Sequence, residues 1–174
     1  MHCASRERRA VRGFTLLEVL TVLAILGVLM GIAIPVVNTA IQRYTLNSAA
    51  RNVGAAIRSA RYGAVAKNRT LVLRFNCPAN GQYRMLEFTG TPAIDTAADR
   101  CSTATYPFPD TTPGVAPDAD GPVATLDPGV SFGAVTDLAF NATGRIPAVA
   151  TIEVTNGTET RRITVAPGGR ITEQ

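Results

Sequence analysis

The chain has 174 residues, 46% hydrophobic and 17% charged, with a net charge of +4. That length holds one modest globular domain plus a membrane segment and excludes two full domains. Residues 1–13 carry Arg6, Arg8, Arg9 and Arg12 against Glu7, a net of +3, so the other 161 residues, with 13 basic and 12 acidic side chains, add only +1. The body is close to neutral, and any contact with nucleic acid would need a local patch.

After this arginine-rich leader comes Gly13-Phe14-Thr15-Leu16-Leu17-Glu18, followed by an apolar run. No charged residue occurs from Val19 to Thr39, and Thr21 is the only polar residue from Val19 to Val37. Such a run is long enough to cross the hydrocarbon core as one helix. Arginines before it and none just after it predict a cytoplasmic N-terminus and an outward C-terminus. The residues after Ala33 supply no Ala-x-Ala cleavage site, so the segment is expected to be retained rather than removed as a secretory signal. Thr15 and Glu18 have capping-box spacing. Pro35 removes a backbone donor and is expected to kink the helix rather than end it, because helical periodicity resumes beyond it. Leu46, Ala50, Val53, Ile57, Ala60 and Ala64 step by three or four and fall on one face, with Arg43, Arg51, Arg58, Arg61 and Lys67 largely elsewhere.

Beyond Asn68 the period changes to two. Residues 70–75 and 83–88 read as strands joined by the turn-rich stretch Cys77 to Gly81. Residues 90–129 hold seven of the eleven prolines and read as a long irregular excursion, unusual in a small domain unless it is functional or cross-linked. Strands are expected again at 130–132, 138–140, 149–155, 160–165 and 170–172, with turns at Asn156-Gly157 and Gly168-Gly169. The fold class expected is α+β: a long N-terminal helix laid across an antiparallel sheet, with the Pro-rich loop to one side.

Residues 13–18 resemble, at every position, the processing motif of type IV prepilins, and Pro35 matches the proline that commonly breaks the pilin helix. The resemblance implies a pilin-like fold, cleavage between Gly13 and Phe14 by a membrane-embedded prepilin peptidase, and methylation of the new Phe14 amine. It divides the chain into a removed leader (1–13), a transmembrane and filament-core helix (14–40), and a periplasmic globular domain (41–174) that includes an amphipathic helix (41–68) and the Pro-rich loop (90–129). Phe140-Asn-Ala-Thr-Gly144-Arg145, Arg161-Arg-Ile-Thr-Val165 and Gly169-Arg170-Ile171 are similar to the late signature of GspH/FimT-like minor pilins and pseudopilins. Members serve type IV pili, including filaments used for DNA uptake, or type II secretion. The implied partners are the peptidase, other pilins or pseudopilins in a filament, and the bacterial inner membrane. DNA-binding members resemble a Gly-Arg-x-Arg ending; here Gly169, Arg170 and Ile171 fit, but Thr172 takes the last position.

A lone carboxylate is costly in a bilayer. Glu18 is therefore expected to pair with the Phe14 amine of an adjacent subunit; the alternative is a headgroup-level acid favoured by the helix dipole. Cys77 and Cys101 fall in the part expected to face the periplasm and read as a disulfide, with two free thiols as the alternative. Arg145, Arg161, Arg162 and Arg170 are expected to be solvated or salt-bridged near Glu153, Glu159 and Glu173, or else to form a phosphate-contacting strip. Arg161 and Arg162, being adjacent in a strand, should point to opposite faces. Asp95, Asp99, Asp110, Asp118 and Asp120 show no spacing that fixes a pair. The only histidine is His2, in the leader; no cofactor, no metal site and no enzymatic activity are expected.

Overall fold

The computed structural model describes residues 13–109, 117 and 119–174. It comprises two compact units, one ending at Ala40 and one spanning Ile41–Gln174. The expectations for residues 1–12, Asp110 and Asp118 lie outside the described residues.

Helix α1 (Leu16–Lys67) contributes to both units. In the first unit its start is capped: the Glu18 amide donates to Thr15 Oγ1 at 3.3 Å and to the Thr15 carbonyl at 3.1 Å. Large apolar side chains from Phe14 to Val37 are all exposed, as lipid or neighbouring protein requires and water does not. The helix is long and apolar enough to cross a membrane. It continues through Pro35, whose carbonyl accepts a hydrogen bond from Thr39 Oγ1 at 3.0 Å.

In the second unit, α1 buries Leu46, Ala49, Ala50, Val53, Gly54, Ile57, Ala60 and Ala64. Small residues on this face let the helix approach the strands closely. It stops in a Schellman arrangement: Asn68 adopts φ 52°, its amide reaches the Val65 carbonyl, and the Arg69 amide reaches the Ala64 carbonyl.

The strands form two antiparallel four-stranded sheets rather than the single sheet expected. In the first, β1 (Leu71–Phe75) lies between β2 (Gln82–Glu87) and β5 (Leu138–Phe140), with β3 (Val123–Thr125) outside β2. In the second, β6 (Ala150–Thr155) and β7 (Thr160–Val165) are flanked by β4 (Ser131–Phe132) and β8 (Ile171–Glu173). The division arises because β5 pairs with β1, Leu71 opposite Phe140, instead of with the neighbouring late strands. Alternation fixes the faces: Leu71, Leu73 and Phe75 of β1, and Ala150, Ile152 and Val154 of β6, point into one core shared with α1. Phe75, Tyr83 and Phe132 close one side of that core, with ring centroids 5.2–6.4 Å apart.

The 90–129 excursion is less irregular than expected. It contains a short helix α2 (Pro92–Asp95) and strand β3, whose Arg84↔Val123 and Gln82↔Thr125 pairings place it at the sheet edge. Three residues are too few to announce a strand by period; the ladder offered by β2 decides it.

Candidate functional site

Three regions carry the expected site residues. At the N-terminal end, Gly13 and Phe14 precede α1, and Phe14 is 82% exposed. Glu18 sits in the first helical turn, where the exposed N–H groups favour an acid. Its backbone is engaged by Thr15 and, through its carbonyl, by Thr21 Oγ1, but its carboxylate has no ion pair among the described residues. Pro35 lies inside the same helix.

The second region is the excursion. Cys77 and Cys101 form a disulfide, with Cα atoms 5.6 Å apart, and pack with Leu86 in a small cluster of their own. This cluster covers the face of β2 turned away from Tyr83 and the main core. Beside it lie two arginines that sequence reasoning missed. Arg84 is fully buried and donates to the carbonyls of Gly121 (2.8 Å), Cys101 (3.1 Å), Ser102 (3.2 Å) and Tyr106 (2.6 Å). Arg100, also buried, makes a two-pronged pair with Asp120, donates to the Glu87 carbonyl and lies 4.6 Å from the centre of the Tyr106 ring. Burial pulls the Arg84 guanidinium below its ordinary value; Asp120 opposes that pull and Arg100 adds to it. Asp120 Oδ1 also accepts from the Glu87 amide at 2.7 Å. No periodicity marks these residues. The one usable signal was a single base, Arg100, among several aspartates in a loop rich in Pro, Ala and Thr.

The late arginines do not form one strip. Arg161 points to the α1 side, donating to Asn47 Oδ1 at 2.8 Å with Glu159 3.6 Å away. Arg162 points the other way, onto Glu153 directly opposite it on β6, at 2.6 Å. That contact is the main reason the Glu153 carboxyl is held below the usual range. Both arginines border a cleft of about 250 Å³, but Glu173 shares it, so its charge is mixed. Arg145 and Arg170 differ: both are exposed, and neither has an ion pair among the described residues. Their turns abut, since the Ile146 amide donates to the Pro167 carbonyl at 3.1 Å. Asp95, half of whose carboxylate accepts from Thr89, caps a local turn, and no group of three or more His, Cys, Asp or Glu suited to a metal occurs among the described residues.

A family profile described as "Type II transport protein GspH" matches residues 49–169, which take in most of the core face of α1, strands β1 to β7 and the Gly144-Arg145 turn, and end at Gly169. The chain belongs to the GspH family. A second profile, the prokaryotic N-terminal methylation motif, matches residues 8–34 of this GspH-family chain. The pilin-like protein PilA1 of Thermus thermophilus is 33% identical over 162 residues, covering 91% of this chain and 96% of that protein. A crystal structure of the type IV minor pilin FimU of Pseudomonas aeruginosa shares the fold: TM-score 0.51, 17% identity, covering 76% of this chain and 90% of that one. The GspH-family protein is thus a minor pilin or pseudopilin, a structural subunit of a type IV pilus or type II secretion system. Its apolar helix is an inner-membrane anchor, and its pilin domain lies on the periplasmic or extracellular side.

Proposed function

We propose that a prepilin peptidase cuts this pilin between Gly13 and Phe14, removing residues 1–13, and methylates the Phe14 amine. Segment 14–40 then remains as the membrane span until it enters the core of a filament built with other pilins or pseudopilins. The observation that carries this reading is the Glu18 carboxylate, placed at the start of an apolar helix with no ion pair among the described residues. An unpaired charge there calls for a partner from outside, and the freed ammonium of Phe14 on an adjacent subunit supplies one. Pairing would also fix the axial register of the two helices. A type IV pilus is the leading assembly, with type II secretion as the alternative.

Glu18→Val tests the assembly step. Cleavage should persist, seen by mass spectrometry as a chain starting at methylated Phe14, while incorporation into filaments is lost. Filaments with wild-type content of the Glu18→Val chain would refute the pairing.

A second reading, DNA contact, is favoured by Arg145 and Arg170 alone, because they are exposed and lack acidic partners among the described residues. Contact through phosphates would be independent of base sequence. Arg145→Ala with Arg170→Ala should reduce the salt dependence of duplex binding, whereas Arg161→Ala should leave it nearly unchanged. Equal losses from both would overturn the assignment to this pair.

A further inference from the structure

Both Gly-Arg turns close around a side chain from α1. Arg61 Nε donates to the Gly144 carbonyl at 3.1 Å, and Arg61 Nη2 donates to the Gly168 carbonyl at 3.3 Å. Gly144 has φ 72°, and a Cβ built there would stand 3.2 Å from Arg61 Nε and 3.0 Å from Val65 Cγ2. Gly169 has φ 78°, and a Cβ there would collide with Arg61 Nε and stand 2.7 Å from the Gly144 carbonyl oxygen. Both glycines are thus favoured by a left-handed backbone, and at Gly169 the guanidinium and the Gly144 carbonyl also leave no room for a Cβ, while at Gly144 the fit is tight. The residue after the first glycine is Arg145 and the residue after the second is Arg170. Arg61 is paired only with carbonyls, and Nη1 has no hydrogen bond to the described residues. The two turns thus meet at Arg61 through their backbones, each followed by an arginine, and none of the three arginines has an acidic partner among the described residues.

We infer that Arg61 is a positioning residue that clamps the two Gly-Arg turns to α1 and sets Arg145 and Arg170 beside it as one site for backbone phosphates of duplex DNA. The clamp rests on geometry alone; its ligand rests on the second reading above. A guanidinium can bridge two carbonyls through separate N–H groups in a fixed plane, and an ammonium offers no such fork. Charge without the fork should therefore not suffice. Three side chains that contact phosphate, without aromatic platforms of their own, read shape and charge rather than base identity.

The test uses the full chain in zwitterionic nanodiscs, as wild type, Arg61→Lys, Arg61→Gln and Arg145→Ala/Arg170→Ala. Amide hydrogen exchange at Ile146 and Ala166, which donate to Pro167 and Arg170 across and within the turns, reports the clamp without DNA. Exchange should accelerate in both Arg61 variants, and affinity for an arbitrary duplex should fall about tenfold or more in Arg61→Lys although its charge is kept. The double alanine variant should lower the salt slope by about two contacts. Wild-type exchange and wild-type binding in Arg61→Lys would overturn the positioning role. Faster exchange with no DNA binding by the wild-type chain would sink the phosphate site and leave the clamp standing. Stronger capture of an acidic protein surface than of duplex DNA, lost in the same variants, would overturn DNA as the ligand.

Discussion

Asp120 is the residue on which the excursion depends most. Its carboxylate is buried, forms the ion pair with Arg100, lies 3.9 Å from Arg84 and accepts the Glu87 amide. Asp120→Ala would leave two buried guanidiniums without their shared counter-ion, a loss of about 3–5 kcal/mol, to be read as a lower urea midpoint at unchanged m. A shift within the ordinary surface range would contradict that role. Glu153 gives a second expectation. Its folded pKa is depressed, first by the Arg162 hydrogen bond, so the folded state binds its proton later than the unfolded chain does. The stabilisation is present above the unfolded carboxylate pKa and is lost as pH falls through the lower folded value. Arg162→Ala should flatten that acid limb of the stability profile, and an unchanged limb would show that the pair does not couple to folding.

At the scale of elements, the excursion is held by two devices of different chemistry. The disulfide closes a separation of 24 residues, which corresponds to about 3 kcal/mol in the chain-entropy estimate. Arg84 separately binds carbonyls at Cys101, Ser102, Tyr106 and Gly121 from the sheet side. Cys77→Ser/Cys101→Ser should therefore lower the melting temperature while keeping the native near-ultraviolet signal of Tyr83 and Tyr106. Loss of that signal at low temperature would mean the arginine alone cannot place the loop. The same contrast separates what was readable in α1 from what was not. The stripe from Leu46 to Ala64 was visible as steps of three and four, and all six of its residues are buried. Arg61 lies off that stripe and looks like one more solvated cation; only its two carbonyl partners, more than 80 residues away in sequence, distinguish it.

For the whole molecule, the partition of apolar surface is the dominant fact. Every residue of the main core lies between Leu46 and Ile171, whereas the apolar residues from Phe14 to Val37 are exposed. The second unit thus contains a complete core of its own. A chain restricted to residues 41–174 should be monomeric without detergent and unfold cooperatively on heating, while the longer chain should need detergent or lipid. Aggregation of the shorter chain, or a non-cooperative melt, would show that its fold depends on residues before Ile41. Such a chain also lacks Glu18, so it should never enter filaments.

The membrane-length apolar helix, the N-terminal methylation motif, the buried stripe of α1 and most strand positions were legible from residue order, because each is a local pattern carried by neighbouring residues. The partition of strands into two sheets, the pairing that creates β3, and the burial of Arg84 and Arg100 were not, because hydrogen bonds between distant segments decide them. The four late arginines show both cases together. Their positions and the opposite facing of Arg161 and Arg162 follow from strand period, but which of them stay unpaired depends on Asn47, Glu153 and Glu159 meeting two and missing two. Side-chain charge is written in the chain; whether that charge is spent inside the molecule is set only when the segments pack.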